Sequence, residues 1–235
     1  MKIILSPAKT FAKELINSNQ KPYFHSEATI LMKKLNQLSL KKIKKGMNLS
    51  DDLIRDVKGY IDQFGKSSYQ AITSYDGIAY KALCVSKMTH EQQDYVNDHV
   101  FILSGLYGIL KPYDGISLYR LEMKDRTLFN LYHFWTDKIN TYLSQFHDKP
   151  LINLASDEYS KVITKPMITL DFVVIKNNKE TRPAFWMKHL RGLFAREIMI
   201  HQYQDPSLLK QIEVEGFHFD PKRSNDKLYC YVKEE

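Results

Sequence analysis

The stretch "FILSGLYGILKP", Phe101 to Pro112, frames the fold. Val100 to Leu103 is an unbroken apolar run, the pattern of a strand buried on both faces of a sheet. It stops at Ser104-Gly105, and Gly108 follows only three residues later. A chain with nine glycines in 235 residues places two of them here, where backbone must approach something closely or take a positive φ. "KIIL" (Lys2–Leu5) and "LINL" (Leu151–Leu154) repeat the form, running at once into Ser6-Pro7-Ala8-Lys9-Thr10 and Ala155-Ser156-Asp157-Glu158-Tyr159. In open α/β sheets, loops at the carboxyl ends of parallel strands gather in one crevice where ligands bind. If these three strands are parallel neighbours, Lys9, Tyr107, Lys111, Asp157 and Glu158 converge, with the glycine amides facing a ligand. Taken singly, each loop is also explained as a turn or, at Ser156 and Asp157, a helix cap.

Further candidate strands are Thr169–Ile175, Leu228–Lys233 and an edge segment Arg182–Trp186, with Asn177-Asn178 as a hairpin turn. Helical patterns fall between them at Glu27–Leu38, Glu91–Asp98 (opened by a Thr89/Gln92 capping box) and Arg126–Phe146, with an Asp205-Pro206 helix start. Nothing marks a domain boundary or an internal repeat. The expectation is a single compact α/β unit spanning 1–235, with a mixed central sheet flanked by helices.

Composition narrows the function. The chain is 43% hydrophobic and 12% aromatic, which excludes disorder. No apolar run reaches the roughly 18 residues of a membrane span, and the start "MKIILSPAKT" lacks the apolar core of a signal peptide; a cytoplasmic protein is expected. Two distant cysteines and eight scattered histidines give no disulfide framework, no metal-ligand spacing and no sign of a cofactor. Carboxylates and histidines at iron-binding spacing are also missing, so iron sequestration is poorly served. The net charge of +7 favours anionic partners.

The cations are concentrated. In "MKHLRGLFAREIMI", Lys188, Arg191, Gly192 and Arg196 fall within roughly 140° of a helical wheel, a basic face with a bare spot suited to phosphate; a solvated charged face is the plainer alternative. Glu197, on the opposite arc, requires either a buried cation partner or a helix covered on several sides. "YRLEM" holds Arg120 and Glu122 two apart, placed for a mutual salt bridge or for ligand contact. Residues 39–64 outline a helix-hairpin-helix-like element: Lys41, Lys42, Lys44 and Lys45 in one short helix, Gly46 ending it, and Ser50 capping the next. Such an element holds DNA phosphates through hairpin amides and nearby lysines; a lysine-rich surface hairpin without function fits the same pattern.

Six ordered motifs, "SPAKT" (6–10), "SGLYGILKP" (104–112), "YRLEM" (119–123), "INLASDEY" (152–159), "RGLFAR" (191–196) and "EGFHFD" (215–220), make the chain resemble the YaaA family of bacterial peroxide-stress proteins. The resemblance implies a single α/β unit with a positively charged cleft and a helix-hairpin-helix. It also implies a cytoplasmic protein that binds DNA and limits iron-dependent damage to DNA and proteins under hydrogen peroxide. The motif positions it carries over are Lys9, Tyr107, Arg120, Glu122, Asp157, Glu158, Lys188, Arg191 and Arg196. The chain departs from the family pattern at Ile78, where an aspartate is usual, and at Leu118, where proline is usual. The expected partner is double-stranded or structured DNA, with a nucleotide-like small ligand as a second possibility. The alternative is an enzyme acting on a nucleotide or a base in DNA, with Asp157 and Glu158 as acid and base.

Overall fold

The computed structural model describes residues 1–235. The chain opens with β1 (Lys2–Leu5), then α1 (His25–Asn36), α2 (Leu40–Gly46), α3 (Asp51–Gln63), β2 (Tyr69–Gln70), α4 (Ala71–Ser74), α5 (Ile78–Leu83) and α6 (His90–His99). It continues through β3 (Val100–Ser104), β4 (Gly108–Leu110), β5 (Gly115–Ile116), α7 (Leu131–Leu143), β6 (Leu151–Asn153) and α8 (Asp157–Ser160). The last part is β7 (Met167–Lys176), β8 (Lys179–Thr181), α9 (Ala184–Ile200), β9 (His218–Phe219) and β10 (Leu228–Glu234).

Eight strands form one mixed sheet in the order β4-β3-β1-β6-β7-β10-β9, with β8 paired to β7. The expected parallel neighbours are real: β1 lies between β3 and β6, with Ile3 opposite both Val100 and Ile152. From β1 the chain crosses to β3 on one side, whereas from β6 it proceeds to β7 on the other. The order therefore reverses between β1 and β6, the position at which an α/β sheet opens a crevice above its carboxyl edge. The all-apolar strands sit where their sequence requires: Ile3, Ile4, Ile102, Leu103 and Ile152 are fully buried.

Local signals account for most element ends. Thr89 and Gln92 form the reciprocal capping box of α6, and Ser39 and Ser50 cap α2 and α3. Asp205 caps a 3-10 turn over Pro206–Gln211. Asn177 and Asn178 both take positive φ, 50° and 59°, in the β7–β8 hairpin, as a type I′ turn demands.

Three expectations shift. Arg182–Trp186 is not a strand: Pro183 is the N-cap of α9, so the aromatic residues that suggested an edge strand open a helix instead. The helix expected from Arg126 begins only at Leu131, because the Asn130 side chain accepts the Tyr132 and His133 N–H groups. Gly46 does not supply the turn after α2, since positive φ falls on Asn48. A β-carbon at Gly46 would instead collide with Thr127, so the glycine lets the 124–130 segment pack against the end of α2.

Candidate functional site

The loops after β1 and β6 are tied together above the sheet. The Ser6 hydroxyl accepts the Ser156 N–H at 2.8 Å, and the Tyr80 hydroxyl donates to the Ser6 carbonyl at 2.8 Å. From this seam a chain of charges spreads over the carboxyl edge of the sheet. Lys9 Nζ lies 2.8 Å from Glu122 Oε2, and Arg120 donates to Glu122 Oε1 at 3.0 Å. Lys124 bridges Glu122 at 3.6 Å and Glu158 at 3.1 Å. The "YRLEM" cation and carboxylate thus pair with each other and recruit Lys9 from over a hundred residues away.

Glu122 is the hub. Its side chain is only 10% exposed. Burial alone would raise its pKa, but the Lys9 hydrogen bond and the charges of Lys9, Arg120 and Lys124 outweigh burial and hold it below the usual carboxylate range. Asp125 accepts the Glu122 N–H at 2.7 Å. Burial and the neighbouring charges of Glu122 and Glu158 push its carboxyl up to about 6, against that hydrogen bond and the charge of Arg120. Glu158 keeps one oxygen, Oε1, buried and without a hydrogen-bond partner. Lys124 and Asp125 were not among the expected site residues, although the alternating charges of "KDR" directly after "YRLEM" are a visible signal for them.

Arg191 completes the far side. Burial lowers its pKa, an effect only partly offset by the charges of Asp157 and Asp171. Asp171 is already engaged by Arg182, and Arg191 itself makes no hydrogen bond or ion pair. Lys188 and Arg196 on the same helix are also unpaired, Lys188 exposed and Arg196 half-buried. Lys9, Arg120, Glu122, Lys124 and Glu158 therefore form one connected ion cluster, and Asp157 and Arg191 are joined to it by no ion pair or hydrogen bond.

Two expected members lie elsewhere. Tyr107 is 1% exposed: its hydroxyl accepts the Ser117 N–H at 2.9 Å, and burial pushes its pKa up. Lys111 follows β4, which runs antiparallel to β3 with Leu110 opposite Ile102. The chain has by then returned to the amino end of the sheet, and Lys111 sits near enough to Lys2 to lower that side chain's pKa, after burial.

The glycines of the opening stretch are also explained from within the protein. A β-carbon at Gly105 would strike the Leu121 carbonyl, and one at Gly108 would stand 2.6 Å from the Trp135 ring, with φ at 70°. The Leu106 and Tyr107 N–H groups of that turn donate to Ser104 Oγ at 3.2 and 3.0 Å. Ser104 Oγ in turn bonds the Tyr119 hydroxyl at 2.7 Å, and Tyr119 meets Tyr75 at 2.8 Å. The turn amides are consumed internally, so no ligand is needed to account for them. Gly192, the bare spot on the basic face, is filled by Ala79 of α5. Gly77, just before α5, abuts Ala8 in the same way. Ile78, 36% exposed, thus sits between the Lys9 loop and α9, and a hydrocarbon rather than a carboxylate occupies that part of the rim. Glu197 has no buried cation as partner, its neighbour at 3.4 Å being the exposed His201; α9 is instead covered by α5, α6 and β7, so the second explanation of that residue holds.

The α2–α3 pair is present, but its link does not offer amides to a phosphate. Met47, Asn48 and Leu49 donate to the carbonyls of Ile43, Lys45 and Lys44. Lys44 is paired with Asp51 at 2.5 Å, whereas Lys41, Lys42 and Lys45 are exposed and unpaired. No group of three or more His, Cys, Asp or Glu side chains is arranged to hold a metal ion, and no helix is long and apolar enough to cross a membrane.

Comparison with known proteins agrees with the six motifs. The family model described as peroxide stress protein YaaA matches residues 1–223. A UPF0246 protein of Crocosphaera subtropica is 35% identical over 250 residues, covering 99% of this chain and 100% of its own. A UPF0246 protein of Burkholderia cenocepacia is 34% identical over 254 residues, covering 98% of both chains. Another from Francisella tularensis subsp. novicida is 32% identical over 254 residues, covering 99% of this chain and 100% of its own. With nearly its whole length matched and its motifs in order, the chain belongs to the YaaA family of peroxide stress proteins.

Proposed function

We propose that this protein binds double-stranded or structured DNA in the cytoplasm during hydrogen peroxide stress and thereby limits iron-dependent damage to DNA and proteins. The observation that carries the reading is the division of its cations. Lys9, Arg120, Lys124 and Lys44 are neutralised by carboxylates, while Lys41, Lys42, Lys45, Lys188, Arg191 and Arg196 have no acidic partner. Unpaired cations on α2 and α9, in a chain of net charge +7, suit phosphates, and contact through lysine side chains does not depend on the occupied hairpin amides. Phosphate contact releases counterions, so affinity should fall steeply with salt and depend little on sequence. Replacing Lys41, Lys42 and Lys45 by Gln should weaken binding and reduce the slope of log affinity against log salt by about 2–3. Gel-shift titrations across a salt series test this; unchanged slope and affinity would remove α2 from the interface.

One observation favours a second reading, an enzyme acting on a nucleotide or on a base within DNA. Glu158 Oε1 is buried without a partner beside Lys124 and Asp157, and a carboxylate oxygen so placed is available to a substrate donor or to a proton. Glu158→Gln or Asp157→Asn, assayed for DNA binding and for peroxide survival of cells, separates the two. Retained binding with lost protection supports chemistry at this site; loss of neither assigns both carboxylates to structure.

A further inference from the structure

The reading above assigns cations to phosphates but gives no role to the largest apolar side chain exposed on α9. Phe185 is 56% exposed, in a molecule where most aromatic rings are buried. One neighbour lies nearly parallel to it: its ring is offset-stacked with His189, centroids 5.5 Å apart and planes 17° from parallel. Trp186 meets it edge-on at 6.0 Å and is itself held by Phe217 and by Lys233 above its ring. The phenyl ring is thus braced from within while more than half of it faces water.

Phe185 also has a register. Lys188 and Arg191 follow at i+3 and i+6, each step advancing about 4.5 Å along the helix and turning roughly 60° about it. The exposed ring is followed by an exposed ammonium without a carboxylate partner about 60° round the helix, and then by the unpaired guanidinium of Arg191 about 120° round it. The rise along the helix axis from Phe185 to Arg191 is about 9 Å. A solvated helix face would be expected to offset its cations with acids at i+3 or i+4. Here the positions after Lys188 and Arg191 hold Gly192 and Ala195. An exposed aromatic ring followed by unpaired cations that wind round the same helix can receive unpaired bases: every base offers a π-face, and the backbone follows the positive charge.

We propose that Phe185, Lys188 and Arg191 form a track for an unpaired DNA strand, with a base stacked on Phe185 and phosphates at Lys188 and Arg191. This rests on the DNA-binding reading and adds to it a surface and a preferred strand state. The track leads an unpaired strand toward Glu158 and Asp157, whereas the lysines of α2 engage duplex.

Fluorescence anisotropy with a short oligothymidylate and a duplex of equal length, at one salt concentration, tests the track. Phe185→Ala should weaken binding of the single strand by about tenfold, with duplex affinity changed less than about twofold. Phe185→Trp should restore it, since a larger ring stacks at least as well. Circular dichroism of both variants controls for folding. Equal losses on both DNAs, or no loss on the single strand, would overturn the track and leave DNA binding standing. Absence of wild-type binding to either DNA would overturn both.

Discussion

Gly192 of α9 and Ala79 of α5 are in backbone contact, so close that a β-carbon on Gly192 would collide with the Ala79 carbonyl oxygen. In an exposed helix, Gly→Ala gains about 1 kcal/mol through propensity. Here the obstacle is main chain, which cannot rotate aside, and overpacking of that kind costs about 1–3 kcal/mol. Gly192→Ala should therefore lower stability by up to about 2 kcal/mol in urea unfolding. Gly59, on the exposed face of α3, has nothing within 4 Å of its virtual β-carbon, so Gly59→Ala should raise stability by about 0.5–1 kcal/mol. The same sign for both substitutions would show that the α5–α9 contact yields.

That contact also marks where sequence ceases to be informative. Each strand that places the site, β1, β3 and β6, is legible because burial on both faces leaves a short apolar run with an abrupt polar end. Capping residues at Thr89, Ser50 and Asp205 are legible because they act within three positions. What Gly192 touches is set by a residue over a hundred positions away, and a helical wheel shows only that the spot is bare. Lys111 went astray for a related reason: Gly108-Ile109-Leu110 is too short to announce β4, and that antiparallel strand carries the lysine to the opposite edge of the sheet. The ion cluster was half legible. Arg120 and Glu122 lie two residues apart, whereas the attachment of Lys9 and of Glu158 through Lys124 depends on the order of strands in the sheet.

Asp114 supplies a pH-dependent test remote from the crevice. It is 6% exposed, and burial pushes its carboxyl up to about 6 although the Lys111 N–H and the Lys111 charge pull the other way. With an unfolded value near 3.9, the folded chain binds the extra proton between about pH 4 and 6. Stability contributed by this group is therefore lowest above pH 7, rises as pH falls through 6, and levels off below 4. The amplitude is on the order of 2–3 kcal/mol. Asp114→Asn keeps the acceptor for the Lys111 N–H and removes the titration. The difference in unfolding free energy between wild type and Asp114→Asn should shrink or change sign between pH 7 and pH 4.5. A difference independent of pH would show that Asp114 titrates normally.

Arg191 tests whether the crevice is kept for a ligand at a cost to the fold. Its guanidinium is half-buried, its pKa is lowered by that burial, and it makes no hydrogen bond or ion pair, so in the free protein its desolvation is offset only by the more distant charges of Asp157 and Asp171. Replacing a poorly compensated buried charge with a hydrophobic side chain of similar length is commonly neutral or stabilising, and binding residues are where such stability is given up. Arg191→Met should accordingly leave the free protein as stable as wild type, or more stable by about 1 kcal/mol. In a chain of this size that is a rise of about 2–4 °C in melting temperature. DNA affinity should fall together with its salt dependence, because one phosphate contact is removed. Glu122→Gln should behave oppositely in stability, since it leaves Arg120 and Lys9 without the carboxylate that holds them. A clear loss of stability in Arg191→Met would mean that the guanidinium serves the fold through Asp157, and the crevice would lose its main candidate for contact with an anion.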